Sequence, residues 1–437
     1  MMKKLLLLTI CLVLVVSFGA NAQYRFLKNF PDNNFALIGG GGTNNGIAVD
    51  PAGKVWVESY SGTVDSILTN VAGVYKKCLD IYVFNPNGSQ ASFSPIKVLS
   101  AGGVTDTLAG SGYGMCVDPS SGNILAVVAS RNLWKIDYKT GKAISRLRDP
   151  IPGYASSLAS VAADAFGEVF LCPVVAPGAV AILNPDFSAA GLVAANNPDI
   201  GRCINVSSDG NDVYTPRFTS KKTYWYHSDN GSLGPYVLKD SILTNFVIET
   251  SGIHPKTGVF YVGSGNIGSG APDPPYQSYR WYGYNLTTKK VVDSIAWNGD
   301  VSADPRPRGI AFSPTGDTVY VGQFQLSVAP VVQMFVKGAV GVEKDASAVP
   351  TGYALPQNFP NPFNPSTEIK FEIAKTGMTT LKVYDIMGRE VSTLVNETMN
   401  AGAYTVKFDA SHLSSGTYIY VLESGGNRLT NKMILLK

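Results

Sequence analysis

The sequence predicts an all-β protein, a β-propeller followed by a small immunoglobulin-like β-sandwich. A short pattern recurs through the middle of the chain: apolar residues, a polar turn containing glycine, then a strand rich in valine and aromatic residues. The C-terminal region carries short alternating strands separated by Gly, Asn and Ser turns, which is typical of a sandwich. Charged residues make up only 15% of the chain, as expected for a β-rich extracellular protein.

Residues 1–22 are predicted to be a secretory signal peptide. Lys3-Lys4 forms a basic end, Leu5–Val16 is an apolar or near-apolar run, and Ala20–Ala22 supplies small residues for cleavage. The run is shorter than the roughly 20 residues that a membrane-spanning helix needs. We therefore expect a mature chain that begins at Gln23, with no membrane span.

Six copies of the repeat predict six propeller blades over residues 23–340. The residues that open the polar turns lie 68, 46, 44, 46 and 59 residues apart, at Asp50, Asp118, Asp164, Ser208, His254 and Ser313. Repeats of about 40 to 50 residues built from short strands are typical of blades. We expect Tyr24–Phe30 to pair with Val331–Val336 and close the ring. Seven blades are the alternative, if residues 24–38 belong to a degenerate blade.

The recurrent aspartates are predicted to be turn formers. They lie in separate blades, so they cannot form one metal cluster, and Asp side chains commonly bond the backbone of such turns. His254 takes the same position and the same predicted role. No Gly-x-Ser-x-Gly elbow is present, which argues against a serine hydrolase of that type.

Four cysteines remain after processing, and their spacings match no metal-binding module. They are Cys78, Cys116, Cys172 and Cys203. Cys116 falls in a predicted inner strand, which favours a buried free thiol. An exported protein meets an oxidising compartment that permits disulfides, so the pairing of the other three stays open.

The long connections between blades predict the working surface. Three of them, residues 58–80, 264–278 and 298–308, emerge on one face, which we call the long-loop face; the short turns lie on the opposite, tight-turn face. Binding residues usually lie on loops held by a rigid scaffold. The predicted ligand-binding residues at the channel mouth on the long-loop face are Asn45, Tyr113, Arg202, Glu249 and Arg308. This set can hold a polar or anionic ligand, or its members can satisfy one another and plug the channel.

The repeats, through their Asp-Pro-x-Gly turns, resemble those of NHL-repeat and lactonase-like propellers. The resemblance implies a divalent cation held in the channel by carboxylates and Asn, and such oxygen ligands suit calcium. Glu249 and Asn45 are the candidate ligands. The alternative function is therefore a metal-dependent, lactonase-like hydrolase. The preferred one is a non-enzymatic module that binds a glycan, a small molecule or a protein.

The near balance of 35 basic and 32 acidic residues argues against a nucleic-acid partner. Nucleic-acid-binding domains usually carry a strongly basic patch.

The C-terminal 84 residues contain five characteristic strings, at residues 355–367, 383–391, 401–409, 414–422 and 432–437. Together they resemble the C-terminal sorting domain of the type IX secretion system over residues 354–437. The resemblance implies recognition by the translocation machinery of a Bacteroidetes-like cell. It also implies passage through the periplasm to the outer-membrane surface or the medium. The matching motif residues are Asn361, Pro362, Phe363, Gly388, Arg389, Glu390 and Lys432. Residues 341–353 are predicted to be a linker.

Overall fold

The computed structural model describes most of the chain beyond the predicted signal peptide. The described residues are 24–31, 44–59, 67–71, 73–108, 110–129, 131–151, 157–175, 178–196, 199–244, 246–264, 276–299, 306–324, 332–337, 342–345, 350–410 and 413–437. The predicted signal peptide, most of the loop 264–278 and most of the loop 298–308 therefore lie outside the described residues.

Six antiparallel sheets form the propeller, and we number them as blades in chain order. The innermost strand of each blade contacts the innermost strands of its two neighbours, and blade 6 contacts blade 1. The six-bladed ring is therefore closed.

In the first three blades, the strands follow one another in chain order from the inside of the ring outwards. Blade 1 contains Asn44–Val49, Val55–Ser59 and Ile81–Phe84; blade 2 contains Gly112–Val117, Ile124–Val128, Asn132–Ile136 and Ala143–Arg148; blade 3 contains Leu158–Ala163, Val169–Pro173, Val180–Leu183 and Ala189–Ala194. Two hairpins lie outside the blade sheets: Ile67–Val71 with Val74–Cys78 connects the second and third strands of blade 1, and Leu99–Ala101 with Val104–Asp106 lies between blades 1 and 2 in the chain.

The other three blades have four strands each, and only blade 6 departs from chain order. Blade 4 contains Asn205–Val206, Asp212–Arg217, Lys222–His227 and Val237–Ile242, with a 3₁₀ turn at Gly231–Leu233; blade 5 contains Ile248–Ile253, Phe260–Ser264, Arg280–Asn285 and Lys290–Ala296; blade 6 contains Arg306–Phe312, Thr318–Phe324, Val332–Lys337 and Tyr24–Asn29.

The N-terminal strand closes the ring, as the sequence predicted. Tyr24–Asn29 pairs antiparallel with Val332–Lys337 and so supplies the outer strand of blade 6. This pairing covers an edge that would otherwise present unpaired backbone groups. It also removes the basis for a seventh blade, because residues 24–29 are already part of blade 6.

Hydrophobic cores lie between neighbouring blades. Trp56 of blade 1 and Trp134 of blade 2, both fully buried, belong to one such cluster. A second cluster joins Tyr261 of blade 5 to Val319 of blade 6. Side chains alternate across a strand, so each blade packs one set of residues on each neighbour. The innermost strands of the six blades contact one another around the ring and surround the central channel.

The predicted turn role is confirmed for the aspartates and for His254, whereas in blade 4 the side chain that accepts from the turn backbone is that of Ser207 and not of Ser208. Asp50 Oδ1 accepts hydrogen bonds from the backbone N–H groups of Ala52 and Lys54, both at 2.9 Å. His254 Nδ1 accepts from Lys256 N and Thr257 N at 3.1 Å, because its ring replaces the carboxylate. Both groups therefore shape their own turns, and His254 Nε2 also lies 3.2 Å from Gly316 O in the turn of blade 6.

The four cysteines of the described chain are free thiols. Cys78, Cys172 and Cys203 are buried, whereas Cys116 is only partly buried. The prediction of a free thiol at Cys116 is confirmed, but its side chain borders the central cavity of the propeller.

The C-terminal region is a sandwich of a three-stranded and a four-stranded sheet around one core. Its strands are Val342–Asp345, Ser366–Ile373, Gly377–Asp385, Glu390–Met399, Gly402–Asp409, Gly416–Ser424 and Asn427–Leu435. Val342–Asp345 pairs with Gly402–Asp409. The prediction of a linker over 341–353 is therefore wrong for this stretch, because its backbone forms an edge strand of the sandwich.

Candidate functional site

The long-loop end of the channel contains a buried ion-pair cluster built from three of the five predicted ligand-binding residues. Glu249, on the inner strand of blade 5, is 2% exposed. Its Oε2 lies 2.8 Å from Arg308 Nη2 of blade 6 and 3.7 Å from Arg202 Nε, just before blade 4. Arg308 Nη1 also donates to the backbone oxygen of Glu249 at 3.4 Å. The cluster joins three blades.

These contacts favour the plugged-channel alternative at this end. The Glu249 carboxylate is already paired with two guanidinium groups, so its charge is compensated within the protein. Tyr113 packs partly buried against the core between blades 2 and 3. The side chain of Asn45 lies outside the described residues. The structure thus brings Arg202, Glu249 and Arg308 together and places Tyr113 in a separate packing environment.

A second buried carboxyl at the long-loop end was missed by sequence reasoning. Glu58 Oε2 accepts a hydrogen bond from Gly114 N at 3.2 Å, and a Cβ at Gly112 would lie 2.1 Å from Glu58 Cγ. The glycine therefore makes room for the side chain. Burial raises the pKa of Glu58 well above its usual range, with the Gly114 N–H opposing the shift. The Gly-x-Gly spacing at 112–114 was the available signal for this site.

The tight-turn half of the channel is a cavity of about 420 Å³. All six inner strands contribute to its wall, and in blades 1, 2, 5 and 6 the wall also includes residues of the turn that follows. The wall consists of residues 47–49, 51, 115–117, 119, 160–163, 204–206, 251–253, 255 and 310–314. None of the five predicted ligand-binding residues belongs to it. We call this space the lumen cavity.

The lumen cavity opens at the tight-turn face. Its wall includes one proline from each of four turns, Pro51, Pro119, Pro255 and Pro314, and all four are exposed to solvent. These prolines follow the turn-opening residue in blades 1, 2, 5 and 6. That recurrence was visible in the sequence and could have indicated the rim.

The lumen wall is largely apolar and carries no charged side chain among the described residues. Its polar members include Ser160, Asn205 and Ser251, and Ser251 Oγ donates to Asn205 Oδ1 across the junction of blades 4 and 5. Cys116 adds a thiol, whose pKa is raised by burial. A mostly apolar concavity with a few polar groups is the usual composition of a small-molecule site.

Two turns at the tight-turn end shift the pKa of their aspartate in opposite directions. Asp118 Oδ2 lies 3.0 Å from Lys135 Nζ. Burial opposes ionisation of Asp118, but hydrogen bonds from Ser120 and Ser121 and the Lys135 ammonium together lower its pKa. In blade 3, burial and the neighbouring Glu168 carboxyl raise the pKa of Asp164 to about 7.

No group of three or more His, Cys, Asp or Glu side chains in the described chain is arranged to hold a metal ion. The predicted calcium ligands do not form such a group either: Glu249 is engaged by two arginines, and the Asn45 side chain is outside the described set. Calcium binding remains a prediction.

Several sorting-motif residues hold the C-terminal sandwich together. Asn361 Oδ1 accepts from Ile434 N at 2.9 Å, and Phe363 is buried in the core. Gly388 adopts φ +77° at the tip of a hairpin, a left-handed conformation that favours glycine. Beside it, Arg389 Nε pairs with Asp385 Oδ2 at 2.7 Å.

Of the remaining three motif residues, Glu390 and Lys432 lie on the surface, as does Arg389. Glu390 Oε2 pairs with Lys382 Nζ at 2.8 Å. Lys432 has an exposed side chain, and its backbone oxygen accepts from Gln357 Nε2 at 2.7 Å. The adjacent hairpin tip exposes two large apolar side chains, Ile386 at 72% and Met387 at 77%. Pro362 follows a cis peptide bond.

Comparison with known proteins identifies the C-terminal region. Residues 357–436 match the family model of the secretion system C-terminal sorting domain. No curated protein sequence matches the chain. Among solved structures, a chain from the crystal structure of a mitotic checkpoint complex is 10% identical, with a TM-score of 0.43; the match covers 72% of this chain and 93% of that one.

No helix within the described residues has the length and hydropathy that crossing a membrane requires. The family match, the five sequence strings and the sandwich agree on the C-terminal region. Residues 357–436 are therefore a type IX secretion C-terminal sorting domain, which interacts with the type IX machinery and directs export of the protein to the cell surface or the medium.

Proposed function

We propose that this protein is an exported binding module in which the sorting domain delivers the propeller and the propeller holds a small-molecule ligand. The observation that carries the proposal is the lumen cavity, about 420 Å³ in volume and walled by all six inner strands. Ligand pockets typically have volumes of about 300 to 1,000 Å³ and are largely pre-formed. Because six blades build this wall, its shape is held by the whole ring.

A binder is favoured over the lactonase-like hydrolase by the chemistry of the channel. A metal-dependent hydrolase needs carboxylate or amide oxygens that converge on one ion. In the described chain, the buried carboxylate Glu249 instead pairs with Arg308 and Arg202. The lumen wall offers no carboxylate. These features support binding without metal-assisted chemistry.

A thermal-shift measurement on the mature chain tests the binding function against the hydrolase. A compound that binds only the folded protein stabilises it by about 2.7 kcal/mol at a hundredfold excess over its dissociation constant. We expect calcium and a chelator to give the same melting temperature, and small apolar compounds to raise it. A calcium-dependent rise together with hydrolysis of a lactone would overturn the proposal in favour of the enzyme.

The export route is proposed in two steps. The signal peptide, residues 1–22, takes the chain to the periplasm, and the sorting domain then takes it across the outer membrane. Deleting residues 354–437 should leave the propeller in the periplasm, as fractionation and immunoblotting would show. A periplasmic reporter fused to residues 342–437, which include the edge strand Val342–Asp345, is the matched control and should reach the surface or the medium. Normal secretion of the truncated chain would contradict the route.

A further inference from the structure

We propose that the lumen cavity binds a neutral, predominantly apolar small molecule that enters from the tight-turn face. This inference rests on the proposed function and names the chemical class of its ligand. It shifts the working surface from the long-loop face, which the sequence predicted, to the opposite end of the channel.

The wall excludes a strongly charged ligand. The described residues that line the cavity include no Asp, Glu, Lys, Arg or His. Moving an ionised group out of water into such a space is costly unless a counter-charge or several hydrogen bonds meet it. Amino acids, sugar phosphates and similar ions would lack a partner at this end. The Glu249 carboxylate at the long-loop end is already paired with Arg202 and Arg308, and the Asp118 carboxylate beside the tight turn of blade 2 is paired with Lys135.

The wall also disfavours a saccharide. A sugar carries a hydroxyl group on most of its carbons, and each buried hydroxyl needs a hydrogen-bond partner. The polar side chains of the wall are few and small, and two of them, Ser251 and Asn205, bond to each other. Apolar side chains such as Ile47, Val161 and Phe312 form much of the remaining surface. This composition suits a molecule with an extended apolar body and at most one or two polar groups.

The direction of entry follows from what lines each half of the channel. The cavity wall follows the inner strands towards the tight-turn face and, in blades 1, 2, 5 and 6, ends at the exposed prolines of the turns. Towards the long-loop face, the Glu249–Arg308 pair and the Glu58–Gly114 hydrogen bond join neighbouring blades. A ligand therefore has an open, apolar route over the proline rim and a charged, internally paired barrier at the other end.

Two related probes test the ligand class on the mature chain. N-phenyl-1-naphthylamine is neutral, whereas 8-anilinonaphthalene-1-sulfonate carries the same ring system with one negative charge. We expect saturable fluorescence enhancement with the neutral probe and at least tenfold weaker binding of the sulfonate. Equal or tighter binding of the sulfonate within the lumen would overturn the inference about charge while leaving a lumen binder in place.

Substitutions locate the probe. Ala163→Phe and Val206→Phe place added volume on the cavity wall from two different blades, and each should weaken binding of the neutral probe at least tenfold. Ala189→Phe lies on the exposed outer strand of blade 3 and should leave binding unchanged. Unaltered melting of the tryptophan signal shows that a variant is folded.

Two outcomes separate the inference from the proposed function. If the filled variants bind the neutral probe as the wild type does, its site is elsewhere and the inference is wrong. If the neutral probe fails to bind, while another compound stabilises the wild type but not the filled variants, the ligand class is wrong and the binding function stands.

Discussion

The two ends of the propeller channel use buried polar groups in different ways. At the long-loop end, the Glu249 carboxylate pairs with Arg202 and Arg308 from the two neighbouring blades, and the three side chains together keep a net charge of +1. At the tight-turn end, the carboxylates bond the backbone of the turns that they shape, with Asp118 also paired to Lys135 of the same blade, and an apolar cavity lies between the inner strands. Charge therefore joins blades at one end and shapes hairpins at the other.

This difference explains which end is available to a ligand. A carboxylate that is already paired with two arginines offers little to an incoming molecule, because binding must first break those ion pairs. An apolar wall with exposed prolines at its rim gains from losing water to a ligand. The ionisable side chains predicted to bind a ligand at the long-loop end thus join the blades instead.

The largest effect is expected at the long-loop end. Glu249→Ala should destabilise the propeller by about 3–5 kcal/mol, because it leaves Arg308 buried beside an empty space without its counter-charge. All five tryptophans lie in the propeller, at positions 56, 134, 225, 281 and 297. Urea unfolding of the mature chain followed by tryptophan fluorescence therefore reports this domain alone.

Glu249→Gln is the matched control for this change. Its amide oxygen can still accept from Arg308, so the loss should be smaller than for Ala, although the charge is gone. If both variants unfold at the wild-type urea concentration, the cluster does not join the blades energetically. The two ends of the channel would then differ in how their side chains are arranged, but not in how much those side chains stabilise the propeller.

Much of the fold could be predicted from sequence because its signals are local. Turn chemistry at positions such as Asp50 and His254 fixed the repeat, and a repeat of that length of short strands indicates blades. The closing strand at Tyr24–Asn29 followed from the need to cover an edge. The strand at Val342–Asp345 was missed, because its Val-Glu-Lys-Asp sequence is polar and reads as a linker.

The candidate site was harder to predict because its determinants are not local. The alignment of repeats located Arg202, Glu249 and Arg308 near one end, and the structure brings them together. Whether such residues bind a ligand or each other depends on distances between blades, which the alignment does not contain. The lumen cavity was missed for the opposite reason: its wall residues, such as Ala163 and Val206, look like ordinary strand residues until six strands surround one space.

The tight-turn end offers a matched pair of smaller effects with opposite signs. Asp118→Asn removes the charge that faces Lys135 at 3.0 Å and should lower the free energy of unfolding by about 1.5–3 kcal/mol at pH 7.

Asp164→Asn removes the repulsion between the adjacent Asp164 and Glu168 carboxyl groups and should stabilise the propeller by about 1 kcal/mol at pH 8. The asparagine oxygen can still accept from Phe166 N and Glu168 N. Midpoints of urea unfolding at several pH values measure both changes.

The pH dependence separates the two turns. The pKa of Asp118 is lowered by folding, so its contribution is present above its unfolded pKa of about 3.9 and is lost as the pH falls. Folding raises the pKa of Asp164 to about 7, so the folded carboxyl keeps a proton that the unfolded chain has released. Wild-type stability should therefore decrease as the pH rises from about 4 to 7, and Asp164→Asn should show a smaller decrease, to which Glu58, whose pKa burial also raises, still contributes. A gain for Asp164→Asn of equal size at pH 4 and pH 8 would show that the two carboxyls do not share a proton. The turn of blade 3 would then resemble that of blade 2.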